Sequence, residues 1–246
     1  MKAIVAGWRL LAAVGFGLRG LAIIRFRFPH LDAAAREAQV QRWARQMLGA
    51  LGIALEVHGT PAAAGPVLLV ANHISWLDIL VMHASRYCRF VSKSDVKHWP
   101  VLGTLATGAG TLYIERESRR DALRVVHRMT ESLRAGDVLA VFPEGTTSDG
   151  VALLPFHGNL LQAAISAGVP AQPVALTFID RATREVTLSP CYVGDDTLLG
   201  SVWKTLTGPP VTAVVTFGCL RTPDGMDRRT WAEQLRTDVA SLRQRP

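Results

Sequence analysis

Cysteine is scarce in this sequence, and the few cysteines are poorly spaced for a metal site or a disulfide framework. The three present, Cys88, Cys191 and Cys219, are far apart and odd in number. Zinc sites and disulfide-rich folds both need paired or clustered cysteines. We therefore expect reduced cysteines in a cytosolic environment and no metal site.

Charged residues are also few. Only 19% of the chain is charged, whereas 49% is hydrophobic, and this balance excludes a mainly disordered chain. The 246 residues suffice for one sizeable domain with a full core. The mean hydropathy of +0.20 is high for a soluble protein, which favours contact with a membrane or an apolar ligand.

A motif for nucleic-acid binding is absent, although the net charge is +7. The positive charge is concentrated in residues 1–50, which contain eight basic and two acidic residues. The eight are Lys2, Arg9, Arg19, Arg25, Arg27, Arg36, Arg42 and Arg45. A basic segment without a motif that reads bases indicates an anionic membrane surface as the partner, and no nucleic acid.

The N-terminal segment lacks the long uncharged run of a membrane-spanning helix. Its longest uncharged run, Leu10–Leu18, is half of what a spanning helix needs, and no signal-peptide cleavage pattern follows it. Residues 3–28 instead fit an amphipathic helix with a basic edge, which can lie in a membrane interface. The alternatives are a helix packed on the domain with solvated arginines and a weak single span. Pro29 separates this segment from a second helix over residues 32–50, which Asp32 caps.

Short apolar runs alternate with helical stretches over the rest of the chain. The predicted strands are Ile53–His58, Val67–Ala71, Arg89–Ser92, Thr111–Ile114, Val138–Phe142, Ala171–Phe178, Glu185–Leu188 and Val211–Phe217. The predicted helices are Leu77–Ser85, Pro100–Thr107, Arg119–Ala135, Gly158–Ala167 and Thr230–Arg243. This alternation predicts an α/β fold with a mixed, largely buried sheet flanked by helices. We expect a membrane-binding element over residues 1–50 and one domain over residues 51–246.

The stretch NHISWLD follows the predicted strand Val67–Ala71 and carries a histidine and an aspartate five positions apart. Functional groups of α/β folds gather at the carboxyl ends of strands. One interpretation is a general base, His73, with Asp78 as the carboxylate that orients it. The other is a capping box, in which the Asp78 side chain bonds the Ser75 amide. The spacing alone leaves both open.

Polar residues also follow the predicted strand Val138–Phe142. Glu144, Gly145, Thr146 and Thr147 form a glycine- and hydroxyl-containing loop. Hydroxyls and free amides of such a loop can hold an anion or a polyol. The alternative is an ordinary polar turn after a core strand.

Arg116 follows the predicted strand Thr111–Ile114. An arginine at a strand end can clamp an anionic ligand group. The alternative is a surface ion pair with Glu115 or Glu117. The residue by itself favours the ion pair.

Together these motifs are more specific than each alone, because NHISWLD, YIER, FPEGTTS and VPAQPVAL occur in that order. They resemble the four sequence blocks of the glycerolipid acyltransferase family, the lysophosphatidic acid acyltransferases. His73 and Asp78 match the family's His-x4-Asp block, and Arg116 matches the end of its second block. The Phe-Pro-Glu-Gly block is matched at residues 142–145 and the fourth block at residues 169–174.

The resemblance implies that a lysolipid hydroxyl attacks an acyl thioester carried by coenzyme A or acyl carrier protein. His73 would be the general base and Asp78 its orienting group. The acceptor head group would be positioned by Arg116, Glu144 and Gly145. No metal or prosthetic group is implied, and the sequence has no Gly-x-Ser-x-Gly elbow. The N-terminal helices resemble the family's membrane-binding element, which implies a peripheral or monotopic protein on the cytoplasmic face of the inner membrane.

Two positions depart from the family pattern. Thr147 stands where an arginine is common, and His157 stands where a lysine is common. Both changes reduce fixed positive charge near the expected head-group site, where Lys93 and Arg116 remain. We expect 1-acyl-glycerol-3-phosphate as the acceptor and phosphatidate as the product, with a lyso-ornithine lipid or another lysophospholipid as the alternative acceptor. A non-catalytic lipid-binding protein is a third hypothesis, against which the intact histidine and aspartate argue.

Overall fold

A computed structural model describes residues 2–114 and 119–244 of the chain. The strands are β1 Ala54–His58, β2 Val67–Ala71, β3 Arg89–Lys93, β4 Leu112–Ile114, β5 Val138–Val141, β6 Ala171–Asp180 and β7 Val211–Phe217. The α-helices are α1 Lys2–Ala22, α2 Ala33–Leu51, α3 Leu77–Ser85, α4 Leu102–Gly108, α5 Arg119–Arg134, α6 Gln162–Ala167, α7 Leu198–Thr207 and α8 Arg228–Arg243. A π-helical turn, Ile23–Arg27, and two 3₁₀ turns, Phe28–His30 and Ser94–His98, complete the helical elements of the described residues.

Within the described residues, seven strands form one mixed sheet in the order β1-β7-β6-β2-β5-β3-β4. The five strands from β6 to β4 are parallel to one another, and β7 runs antiparallel to β6. The carboxyl ends of β2, β5, β3 and β4 therefore meet at one edge of the sheet. This mixed sheet confirms the predicted fold class.

Helices cover both faces of the sheet, as the continuous apolar strands require. Successive side chains of a strand point to opposite faces, and β2 shows the consequence. Leu69 and Ala71 belong to the hydrophobic cluster under α2 and α3. Leu68 and Val70 belong to the cluster under α5, α6 and α8. Burial of β2 on both faces explains why its sequence is an unbroken apolar run.

The predicted break between the first two helices is confirmed. The chain leaves α1 through the π and 3₁₀ turns and reaches Asp32, whose carboxylate accepts a hydrogen bond from the Ala35 amide over 2.8 Å. This is the N-cap that the sequence predicted. Gly52 ends α2 in the left-handed conformation, with φ +74°.

Helix α2 contributes to the core of the domain. Its residues Met47, Leu48 and Leu51 are buried in the same cluster as strand residues of the sheet. The proposed boundary at residue 50 stays a prediction, but a deletion of residues 1–50 would remove the core side chains Met47 and Leu48. Experiments on the N-terminal segment therefore need substitutions in α1.

Two local predictions were wrong. Residues 185–188 form no strand, since Val186 alone bridges Ile179 after Arg184 turns the chain at φ +65°. Helix α7 was missed because two of its buried residues, Ser201 and Thr205, are polar. They interrupt the repeat of apolar residues by which a helix is predicted from sequence.

A buried histidine makes the fold sensitive to acid. His83 of α3 lies edge-on to Phe90, with ring centroids 5.1 Å apart, and near Tyr87. Burial lowers the pKa of His83 from 6.5 to about 4. The unfolded chain therefore binds a proton in this pH window that the folded chain does not bind. The free energy of unfolding falls as the pH falls from 6.5 toward 4.

We expect His83→Met to remove this pH dependence. Relative to wild type, the variant should gain roughly 2–3 kcal/mol of unfolding free energy between about pH 7 and about pH 4.5. Urea titrations at both pH values measure the change. The exposed His98→Gln variant serves as the control and should follow the wild type. If the unfolding free energy of His83→Met fell with pH as much as that of the wild type, His83 would not be the cause of the acid sensitivity.

Candidate active site

The strand end of β2 is held firmly where the histidine begins. Asn72 donates to the Leu176 carbonyl over 3.0 Å and accepts from the Leu176 amide over 2.8 Å. This pair of bonds continues the β2–β6 pairing by one residue through a side chain. It places His73 at the carboxyl edge of the sheet, beside the end of β5.

His73 and Asp78 are in direct contact. The His73 Nδ1 lies 2.8 Å from the Asp78 Oδ2, and the Asp78 side chain is fully buried, at 0% exposure. The same oxygen accepts from the Ile74 amide over 2.6 Å and from the Ser75 amide over 2.9 Å. The imidazole contact and the capping contact therefore coexist on one carboxylate oxygen.

Helix α3 spans Leu77–Ser85, as predicted, and Trp76 occupies its N-cap position. The Ser75 hydroxyl still accepts from the Leu77 amide over 3.2 Å, and it donates to the Pro190 carbonyl over 2.5 Å. The turn between His73 and the helix lets the two side chains meet, although five positions on a regular helix would separate them by about 140°.

The imidazole ring of His73 is fixed in orientation. It stacks on the Phe142 ring with centroids 4.0 Å apart and an interplanar angle of 7°. An ionised carboxylate only accepts hydrogen bonds, so the contact with Asp78 places the proton on Nδ1. The Nε2 atom then has no hydrogen-bond partner among the residues that the structure describes, and the side chain is 20% exposed. This arrangement can take a proton from a hydroxyl that approaches from solvent.

Glu144 connects the two strand ends. Its Oε1 accepts from the His73 amide over 2.7 Å, and its Oε2 accepts from the Leu154 amide over 3.0 Å. Burial raises the pKa of Glu144, while these amides and the charges of His73 and Arg243 lower it. The carboxylate is therefore engaged within the protein. A further bond from it to a ligand hydroxyl stays a prediction.

The loop after Glu144 is attached to the histidine backbone. The Ser148 amide donates to the His73 carbonyl over 2.9 Å. Gly145 turns the loop with φ +74°, a conformation that favours glycine. Thr146 is exposed and Thr147 is half-buried, so both can reach a ligand at this edge.

One of the two predicted basic residues, Lys93, lies on the same edge. Lys93 is the last residue of β3, opposite Ile114 of β4, and it is exposed. Arg116 lies outside the described residues. His157 sits beside the glycine turn, because a Cβ added to Gly145 would lie 3.5 Å from the His157 ring. The roles of these residues in head-group binding stay predictions.

A segment near residue 190 covers the histidine loop, and no motif predicted it. The Tyr192 amide donates to the Ile74 carbonyl over 3.1 Å, next to the contact between Ser75 and Pro190. The Cys191 thiol lies 3.1 Å from the Asp149 carbonyl. Burial raises the pKa of Cys191 to about 11, so this thiol packs as a neutral side chain.

Sequence reasoning also missed Asn72, the stacking role of Phe142 and the loop contact of Ser148. All three lie inside the quoted motifs, so their positions were a usable signal. Their partners are 69 to 104 positions away in the chain, and only the sheet order brings them together.

Comparisons with known proteins agree on one family. A family model described as Acyltransferase matches residues 54–177. The chain is 36% identical to a lyso-ornithine lipid O-acyltransferase of Pseudomonas aeruginosa, over 93% of this chain and 88% of that protein. It is 41% identical to a 1-acyl-sn-glycerol-3-phosphate acyltransferase of Neisseria meningitidis serogroup B, over 76% of this chain and 72% of that protein.

A solved structure shares the fold. The crystal structure of the 1-acyl-sn-glycerophosphate acyltransferase PlsC from Thermotoga maritima superposes with a TM-score of 0.72. The match covers 100% of this chain and 99% of that chain at 20% sequence identity. The likeness therefore includes the N-terminal helices as well as the sheet.

Proposed function

The chain belongs to the acyltransferase family, and we propose that it transfers a fatty acyl group from an acyl thioester to the hydroxyl of 1-acyl-glycerol-3-phosphate, which gives phosphatidate. The observation that carries the proposal is the fixed pair of His73 and Asp78, whose partly exposed ring turns Nε2 away from Asp78 at the edge of the sheet. Relatives of both acceptor classes resemble the chain.

The proposed chemistry is general-base catalysis. The Nε2 of His73 removes the proton of the acceptor hydroxyl as its oxygen attacks the thioester carbonyl. Asp78 accepts from Nδ1 and stabilises the imidazolium that forms. As the tetrahedral intermediate collapses, the carbon–sulfur bond breaks, the ester forms and the imidazolium returns its proton to the leaving thiolate. The acyl group passes directly to the acceptor, and coenzyme A or acyl carrier protein is a co-substrate.

A second acceptor, a lyso-ornithine lipid, is favoured by two residues. Thr147 and His157 replace the basic residues that would hold a terminal phosphate. The P. aeruginosa relative with that name also aligns over 93% of this chain. In this proposal the reaction is unchanged and only the head group of the acceptor differs.

One assay separates the acceptors. Purified protein is given labelled acyl-CoA or acyl carrier protein and a panel of lysolipids in detergent micelles. Transfer to lysophosphatidate supports the first acceptor. Transfer only to lipids without a terminal phosphate supports the second. Lipid binding without transfer to any acceptor would support a non-catalytic lipid-binding protein and contradict both.

Helix α1 is the proposed membrane contact. Its surface exposes large apolar side chains, including Trp8, Leu11 and Leu18. The continuous helical stretch Lys2–His30 is long and apolar enough to cross a membrane by length and composition, and little of it is buried. The apolar face and the basic N-terminal segment together support association with an anionic bilayer. We place the protein on the cytoplasmic face, where an acyl thioester is available.

We expect Leu11→Asp combined with Leu18→Asp to weaken vesicle binding about 100-fold, because two leucines lose roughly 3 kcal/mol of apolar burial. Co-sedimentation with anionic phospholipid vesicles measures the change. A matched control carries Leu123→Asp and Val186→Asp, which are exposed apolar residues outside α1. Unchanged pelleting of the α1 variant would contradict the proposal.

A further inference from the structure

The C-terminal helix α8 holds the loop that follows the Glu144 turn. The Arg243 Nη2 donates to the Gly150 carbonyl. Arg236 donates from Nη2 to the Leu153 carbonyl over 3.0 Å and from Nε to the Leu154 carbonyl over 3.1 Å. These two arginines are the α8 clamp, and the family model that ends at residue 177 does not include them.

The start of the helix also touches this loop. A Cβ added to Gly158 would lie 2.5 Å from the Arg228 carbonyl. Helix α8 therefore contacts the loop from residue 150 to residue 158. The contact at Gly158 is made by backbone atoms, whereas the two contacts further along are made by arginine side chains.

A short series of bonds leads from the α8 clamp to the base. Arg236 bonds the carbonyl of Leu154, and the Leu154 amide donates to Glu144 over 3.0 Å. The other oxygen of Glu144 accepts from the His73 amide over 2.7 Å. A shift of the loop would move the carboxylate and, with it, the backbone of His73.

We propose that Arg236 and Arg243 are positioning residues, which hold the 143–157 loop so that Glu144 fixes the backbone of the base. The inference rests on the proposed acyltransferase function and deepens it. The clamp residues act through Glu144 and do not touch the reacting atoms. Arg243 of α8 also supplies a positive charge that acts on Glu144.

Charge supports the same arrangement. Glu144 is acted on by the charges of His73, on the β2–α3 connection, and of Arg243, on α8. Burial lowers the pKa of the Arg243 guanidinium, while the carboxylates of Glu144 and Asp149 raise it. The Arg243 charge favours the ionised form of Glu144, which is the form that accepts from both amides.

Arg236→Met tests the hydrogen-bonding half of the clamp. We expect kcat to fall about 10- to 100-fold, because small displacements of catalytic groups are costly, with little change in KM for the acceptor. The control is Arg221→Met, which removes a two-bond arginine contact to Asp238 on the same helix. If kcat fell equally in both variants, the effect would come from a less stable α8 and not from the clamp. That result would overturn the proposal.

Arg243→Met tests the charged half. Without this charge the pKa of Glu144 rises further, so the acidic limb of the pH–kcat profile should move to higher pH. Arg243→Lys retains the charge and should restore the acidic limb. An unmoved limb in Arg243→Met, or no restoration by lysine, would overturn this half of the proposal.

Hydrogen–deuterium exchange provides a readout that is independent of the acceptor. We expect faster amide exchange over residues 143–157 in Arg236→Met than in wild type or Arg221→Met. Unchanged exchange in that segment would overturn the clamp. If wild-type protein transfers acyl groups to no acceptor, the proposed function fails, while the exchange result still decides whether the clamp exists.

Discussion

Replacing His73 with alanine is expected to lower kcat for acyl transfer about 1,000-fold, which is within the usual contribution of a general base. The prediction follows from the geometry of the ring. Nδ1 is occupied by Asp78, the plane is stacked on Phe142, and Nε2 remains as the proton acceptor. Steady-state assays with the preferred acceptor measure the change.

The fold should survive this substitution, because the His73 side chain is partly exposed and its backbone bonds to Glu144 and Ser148 remain. Circular dichroism checks the fold. His127→Ala removes an exposed histidine of α5 and should leave kcat unchanged. A His73→Ala enzyme with more than about a tenth of wild-type activity would show that another group is the base.

Replacing Asp78 with asparagine is expected to lower kcat about 1,000- to 10,000-fold. Asparagine can keep an oxygen toward the Ile74 and Ser75 amides, but it carries no charge to stabilise the imidazolium. Its amide group can also favour the wrong imidazole tautomer. The effect should appear in kcat, since the residue is buried behind the ring and cannot reach the acceptor.

Asp78→Ala separates the structural role from the catalytic one. It leaves the two buried amides without their carboxylate acceptor, which costs roughly 2–6 kcal/mol of unfolding free energy. Asp238→Asn, at an exposed ion pair on α8, is the control for both measurements. A stable Asp78→Asn enzyme with nearly wild-type kcat would show that the carboxylate caps the turn and takes no part in catalysis.

These two variants answer the question that the His-x4-Asp spacing raised. A capping box and a base with its orienting carboxylate are both consistent with the sequence. The structure shows that Asp78 Oδ2 makes both sets of contacts. The carboxylate that orients the imidazole also holds the turn that brings the imidazole to it.

Most strands could be predicted because the apolar residues that they bury follow one another directly in the sequence. Val67–Ala71 is apolar at each position, and burial on both faces of the sheet requires such a run. The Asp32 cap was predictable for the same reason, since a cap involves residues three positions apart. Helix α7 was not, because its inner face is buried through contacts with distant elements, and its Ser201 hydroxyl accepts from the Trp76 indole.

By itself the sequence determined the residue types at the site, their order and the apolar strands that precede them. Only the tertiary structure decided where those side chains point. Three contacts join segments that are at least 69 positions apart. They are the stacking of Phe142 on His73, the bond from the His73 amide to Glu144, and the bond from Arg243 to the Gly150 carbonyl. Such contacts depend on which strands are neighbours and on where α8 packs. Those choices are set by burial of the whole sheet, so no single motif contains them.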